Sequence, residues 1–219
     1  MPHHIIDQRR DPVLLFALSC TLALVWLMTG MVTADTVTEI FAESGPIEQT
    51  SVLFLLLSAL ALVIDILWRR DLGRWHLAVL VLAAGLRELD WDKAFTDSGI
   101  LQLRLYSGNA PLLHKIIGAV VVILLVWAGL RLLRRSLPDW LRALRGGDVS
   151  AWLLLATLGL YGMAKTLDGL GRKLAPLGIE ISDWANRTAG RGEEAMELLG
   201  AILILQVVGL SLIRRVADH

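Results

Sequence analysis

Titratable residues recur at helical spacing in four places along this sequence: Arg87 with Asp90, Glu88 with Asp92, Lys165 with Asp168, and Glu193 with Glu197. Side chains three or four residues apart share one face of a helix. Carboxylates grouped in this way suit two kinds of chemistry. They hold a divalent metal ion, or they divide into general acid and general base when burial raises one pKa and a neighbouring Lys or Arg lowers another. Glu48 and Glu194 belong to the same acidic set, and His114 adds a group that titrates near neutrality. Arg87, Lys115 and Lys165 are the cations available for the phosphate or carboxylate of a lipid headgroup.

The elements that position these residues are apolar. The chain has 219 residues, 55% of them hydrophobic and 19% charged, with a mean hydropathy of +0.61, which is too apolar for an ordinary soluble domain. Lys plus Arg and Asp plus Glu number 21 each, so the basic footprint of a nucleic-acid binder is missing and no nucleic-acid partner is expected. Cys20 is the only cysteine, which excludes an internal disulfide and a cysteine-ligated zinc or iron–sulfur site, and reads as a structural thiol in a helix.

Six apolar runs approach the ~20 residues that a helix needs to span hydrocarbon: 13–32, 46–68, 75–95, 112–133, 151–170 and 193–213. The expected fold is all-α: one integral membrane domain over 1–219, with six transmembrane helices in three in-out-in hairpins. The first run is too long for a cleaved signal peptide and is expected to be retained. With the N-terminus inside, 12 Lys and Arg fall on the cytoplasmic side and 6 outside, so both termini are expected in the cytoplasm. Each hairpin returns to a double arginine, at Arg69-Arg70, Arg134-Arg135 and Arg214-Arg215.

Helix rise converts position into depth. Counted from Trp75, Glu88 lies about 20 Å along its helix; Asp168 lies about 26 Å from Ala151, and Glu197 about 26 Å from Arg214. Charges at such depth cost several kcal/mol unless they pair, face the bundle interior or line water. The expectation is one carboxylate-rich cavity below the outer headgroups, in which Glu88, Asp92, His114, Asp168, Glu194 and Glu197 transfer protons or ligate metal, while Arg87, Lys115, Lys165 and Glu48 bind substrate. Eight acids face four bases there, so a cation, one divalent metal ion or a proton, is expected to complete the cluster.

Three connections are expected to carry structure. Thr36 to Glu39 fits a capping box opening a short amphipathic helix over 36–43. Ser136 to Leu144 reads as an amphipathic helix for anionic lipid on the inner side. Residues 93–111 read as a cover for the cavity, with Leu101 to Tyr106 alternating as an extended piece.

The segment Arg87-Glu88-Leu89-Asp90-Trp91-Asp92-Lys93-Ala94-Phe95-Thr96, followed by Gly99-Ile100 and Tyr106, resembles a stretch of uncharacterised bacterial inner-membrane proteins. That resemblance implies a bacterial inner membrane and no particular activity. Asp168-Gly169 followed by Arg172 is similar to the opening of the CDP-alcohol phosphotransferase motif, but the later aspartates are absent. Three functions fit. The first is binding, with chemical modification as its extension, of a lipid or amphipathic ligand at the outer leaflet. The second is proton- or cation-coupled transport, which the apolar inner halves of the helices disfavour. The third is a non-catalytic membrane subunit or assembly factor, whose partner is a second copy or another membrane protein. Any individual charge could also serve only an ion-pair network closing the helix ends.

Overall fold

A computed structural model describes residues 10–32, 34, 36–42, 44–91 and 99–217, and among them there is no strand. A helix satisfies every backbone group within its own segment, which is the form that long apolar runs take where water is absent. The helices are α1 (Arg10–Met31), α2 (Val37–Ile40), α3 (Pro46–Arg69), α4 (Trp75–Glu88), α5 (Leu103–Ser107), α6 (Leu112–Arg131), α7 (Leu137–Arg145), α8 (Val149–Leu167), α9 (Leu170–Leu174) and α10 (Asp183–Ala217). Four helical stretches are long and apolar enough to cross a membrane: Pro12–Met31, Pro46–Arg69, Leu112–Arg145 and Asp183–Val216.

The two other expected spans differ for physical reasons. In the run over 75–95, α4 ends at Glu88, because Asp90 takes a left-handed φ of +49° and its N–H turns back to the Arg87 carbonyl at 3.0 Å; residues 92–95 lie outside the described residues. Its 14 residues rise about 21 Å, short of the ~30 Å hydrocarbon core. The run over 151–170 forms α8 but ends at Leu167, and Trp152, Lys165 and two glycines dilute its apolar character.

Other boundaries shift as well. The final helix begins at Asp183, ten residues before the expected start, because the Ser182 hydroxyl accepts the Ala185 N–H as an N-cap. At 35 residues it rises about 52 Å, longer than a bilayer core is thick. The amphipathic stretch after Ser136 does form, as α7, but it continues α6 through one wide π-type turn at Leu132–Ser136. Leu101 to Tyr106 is not extended: Leu103–Ser107 is a short helix, and five residues of alternation were too few to decide. The capping box at Thr36 and Glu39 is present, although α2 covers only Val37–Ile40.

The chain divides into two units, Met1–Phe54 with Gly147–His219, and Leu55–Gly146. In the first, α8 runs along α10 and α1 packs against α10. Gly200 lets the two backbones approach, since a Cβ there would come within 2.8 Å of the Tyr161 ring. Six residues further along α8, Leu167 meets Gly192. At the opposite end, Asp148 accepts the Ala151 N–H at 3.0 Å as the N-cap of α8 and pairs with Arg214 at 2.5 Å. In the second unit α4 packs against α6, with Trp75 and Trp127 rings 5.0 Å apart.

The core holds Phe54, Leu55 and Leu210, but the surface is unlike that of a soluble protein. Thr50, Ser58 and Thr157 are buried, while Leu14, Val25, Leu60, Val120 and Ile123 face outward. Thr50 and Thr157 donate to the carbonyls of Pro46 and Leu153 four residues back, so burial leaves their hydroxyls satisfied. Self-satisfied Thr and Ser among the buried residues, with so many Leu, Val and Ile exposed, is an arrangement that lipid rewards.

Replacing Gly200 by Val should force α8 and α10 apart. Overpacking of this kind costs about 1–3 kcal/mol, read as a lower midpoint of thermal unfolding in detergent. An unchanged midpoint would show that the Tyr161–Gly200 approach does not hold the pair together.

Candidate functional site

Within the first unit, the packing of α8 on α10 sets the level of the charges. Tyr161 lies against Gly200 and Leu167 against Gly192, so the two helices run antiparallel, and Ala164 and Lys165 fall level with residues 194–197. The pairs that were separate in sequence, Lys165 with Asp168 and Glu194 with Glu197, thereby occupy one end of one helix pair. Lys165 Nζ lies 2.7 Å from Asp168 Oδ2, with the lysine 54% and the aspartate 31% exposed. Glu193, Glu194 and Glu197 are half-buried along α10.

The chain leaves α8 through a corner that gathers more cations. Asp168 ends the helix, with its N–H on the Ala164 carbonyl, and Gly169 turns the chain with φ +58°, a conformation that favours glycine. The Arg172 guanidinium folds back over Gly169, and Lys173 Nζ donates to the Lys165 carbonyl at 2.6 Å. The Gly171 N–H donates to Asn186 Oδ1 at 3.1 Å, which ties the corner to α10. Asp168 is therefore ringed by Lys165, Arg172 and Lys173. The hydrogen bond from Lys165 holds its carboxyl below the usual carboxylate range against the opposing effect of burial, and the three positive charges add to the effect. Arg172, Lys173 and Asn186 were not singled out from sequence; the Asp-Gly turn was the available signal.

Glu48 has a local task. Its Oε2 accepts the Ser44 N–H at 2.5 Å, capping the turn into α3, while Gln49 Nε2 reaches the Ser44 carbonyl at 2.9 Å. Arg191 lies over the Phe41 ring, 5.7 Å from its centroid, a cation–π contact.

The other expected site residues belong to the second unit. Arg87 is exposed and Glu88 half-buried in the last turn of α4, and His114 and Lys115 are half-buried in the first turn of α6. Lys115 Nζ donates to the Gly108 carbonyl at 2.7 Å and so fastens the end of α5, and the Tyr106 hydroxyl donates to the Ile100 carbonyl at 2.7 Å. Lys115 thus has a structural role. Asp92 and the start of the 93–111 segment lie outside the described residues. Among the described residues, no group of three His, Cys, Asp or Glu is arranged to hold a metal ion.

If Lys115 fastens the segment after Ile100, Lys115→Met should loosen it, and trypsin should cleave after the exposed Arg104 faster than in the parent protein. Equal cleavage rates would contradict that role. No known protein family, curated protein or solved structure matches this chain, so its function is argued from geometry.

Proposed function

We propose that this chain is a multi-pass protein of a bacterial inner membrane, with both termini in the cytoplasm and six crossings in three hairpins. The four long helices, the outward Leu, Val and Ile side chains, and the excess of arginine in the connections assigned to the cytoplasm support this reading. In it, α8 and the shorter α4 supply the remaining crossings, the latter with local thinning of the bilayer.

The function proposed is recognition of a lipid or other amphipathic ligand by its head, at the outer end of the α8–α10 pair. The observation that carries it is the register, which sets Lys165 level with Glu194 and places Asp168 and Glu197 within about one turn of that level, at one end of the helix pair. Lys165, Arg172 and Lys173 hold the anionic part of the head, and Asp168, Glu194 and Glu197 face its cationic or protonatable part. A half-exposed Lys–Asp pair contributes at most about 1 kcal/mol to folding in a polar surrounding, so closing the helix ends is a weak reason for gathering six such groups. Chemical modification of the bound head by these carboxylates is the catalytic extension of the same site.

The test is the lipid that remains with the purified full-length protein, identified by mass spectrometry. Asp168→Asn and Glu197→Gln should each lose a species retained by the parent protein, while the unfolding midpoint moves by no more than a pair of this exposure warrants. Retention of the same lipids in both variants, with only a lower midpoint, would make the cluster structural.

A further inference from the structure

The second unit carries a polar cluster at the opposite end of its helices from Glu88 and His114. Here the end of α3, the turn at Leu72–Arg74, the start of α4 and the wide turn after α6 converge. Residues 65–76 and 131–136 hold six arginines against two aspartates. The aspartates are committed: Asp65 pairs with Arg69 at 2.7 Å and with Arg74 at 3.8 Å, and Asp71 Oδ1 accepts the Gly73 N–H at 2.9 Å. Arg131 donates from Nη2 to the Gly73 carbonyl at 3.1 Å.

At the centre stands His76, 2% exposed, with Nε2 2.9 Å from Ser136 Oγ. The guanidinium groups of Arg131, Arg74 and Arg135 act electrostatically on its ring, as does the Gly73 carbonyl, yet no acceptor meets Nδ1 in hydrogen-bonding geometry. Arg131 Nε, which can only donate, is likewise buried without a partner among the described residues. A buried donor left unsatisfied is costly, so the Arg131 Nε–H amid surplus positive charge, beside a His76 ring whose second nitrogen is also without a partner, marks a place that an anionic acceptor completes. The wide turn supplies a further sign: such turns inside α-helices collect at functional sites, and this one carries Arg134, Arg135 and Ser136.

We infer that this cluster binds the phosphodiester of an anionic phospholipid, with Arg131, Arg135 and Ser136 as its donors and His76 orienting the Ser136 hydroxyl. Phosphate supplies the charge and the acceptor oxygens. Lipid is favoured over a soluble phosphate because the same helix exposes Trp127, Leu130 and Leu133 immediately before the arginines, a surface suited to an acyl chain. Trp75 against Trp127 adds the aromatic pair expected at a headgroup boundary, and the amphipathic α7 continues directly from the site. The arginine excess assigns this end to the cytoplasmic leaflet.

The experiment is thermal unfolding of the full chain in a neutral detergent, titrated with dihexanoyl-phosphatidylglycerol, dihexanoyl-phosphatidylcholine or inorganic phosphate. A ligand that binds only the folded state raises the midpoint as its concentration passes its Kd. Phosphatidylglycerol should raise the midpoint where the other two do not. Arg135→Gln, an exposed position whose loss should leave folding intact, should weaken the apparent affinity about tenfold, and Ser136→Ala should weaken it in the same direction. Arg145→Gln, beyond the cluster on α7, should leave the titration unchanged. Equal stabilisation by phosphatidylcholine or by inorganic phosphate would overturn the assignment. So would an unaltered titration in both Arg135→Gln and Ser136→Ala, or an equal loss in Arg145→Gln.

Discussion

A polar group in hydrocarbon must find its partner within the chain, and this constraint organises the molecule more than any single contact. The buried hydroxyls of Thr50 and Thr157 return to carbonyls of their own helices. Gln206, also buried, reaches the Pro12 carbonyl at 2.8 Å and so joins α10 to α1. With these hydroxyls and the Gln206 amide N–H satisfied internally, the outer faces of the helices are free to be Leu, Val and Ile. Close approach joins α8 to α10, where Tyr161 lies on Gly200.

The same approach positions the charges. Because α8 and α10 meet at two points, Tyr161 on Gly200 and Leu167 on Gly192, their register is fixed over the residues between. The carboxylates of α10 and the Lys165–Asp168 pair are then held at the same end of the helix pair, with Lys165 level with Glu194, by packing rather than by attraction to one another. At the other end of the pair, Asp148 clasps Arg214 while capping α8, so both ends of the α8–α10 contact are pinned by polar residues. The exposed Lys165–Asp168 contact itself contributes little to stability, so the frame does not depend on it.

Much of the fold was legible because long apolar runs leave few alternatives: the helices covering 13–32, 46–68 and 112–133 lie close to where composition places them. Misplaced ends have local causes that periodicity does not register. The left-handed Asp90 stops α4 early, and the Ser182 cap starts α10 ten residues before the apolar run begins. The alternation from Leu101 to Tyr106 was too short to separate strand from helix. In the site, the i, i+3 pairing of Lys165 with Asp168 was readable from spacing alone, whereas the return of Arg172 over Gly169 depends on a turn whose direction only coordinates reveal. Lys115 and Glu48 were read as ligand groups because charge near a helix end looks the same in sequence whether it binds a ligand or fastens a loop; here they hold Gly108 and Ser44. His76 drew no attention in the sequence, because its burial against Ser136, sixty positions away, has no sequence signal.

The central claim is that Lys165 and Glu194 sit at one depth, at the outer boundary of the membrane. Nitroxide labels placed singly at Lys165→Cys and Glu194→Cys in a Cys20→Ser background, in reconstituted bilayers, measure this through relative collision with oxygen and with a water-soluble nickel complex. The account predicts matching depths near the headgroups. Labels at clearly different depths, or either one near the bilayer centre, would contradict it.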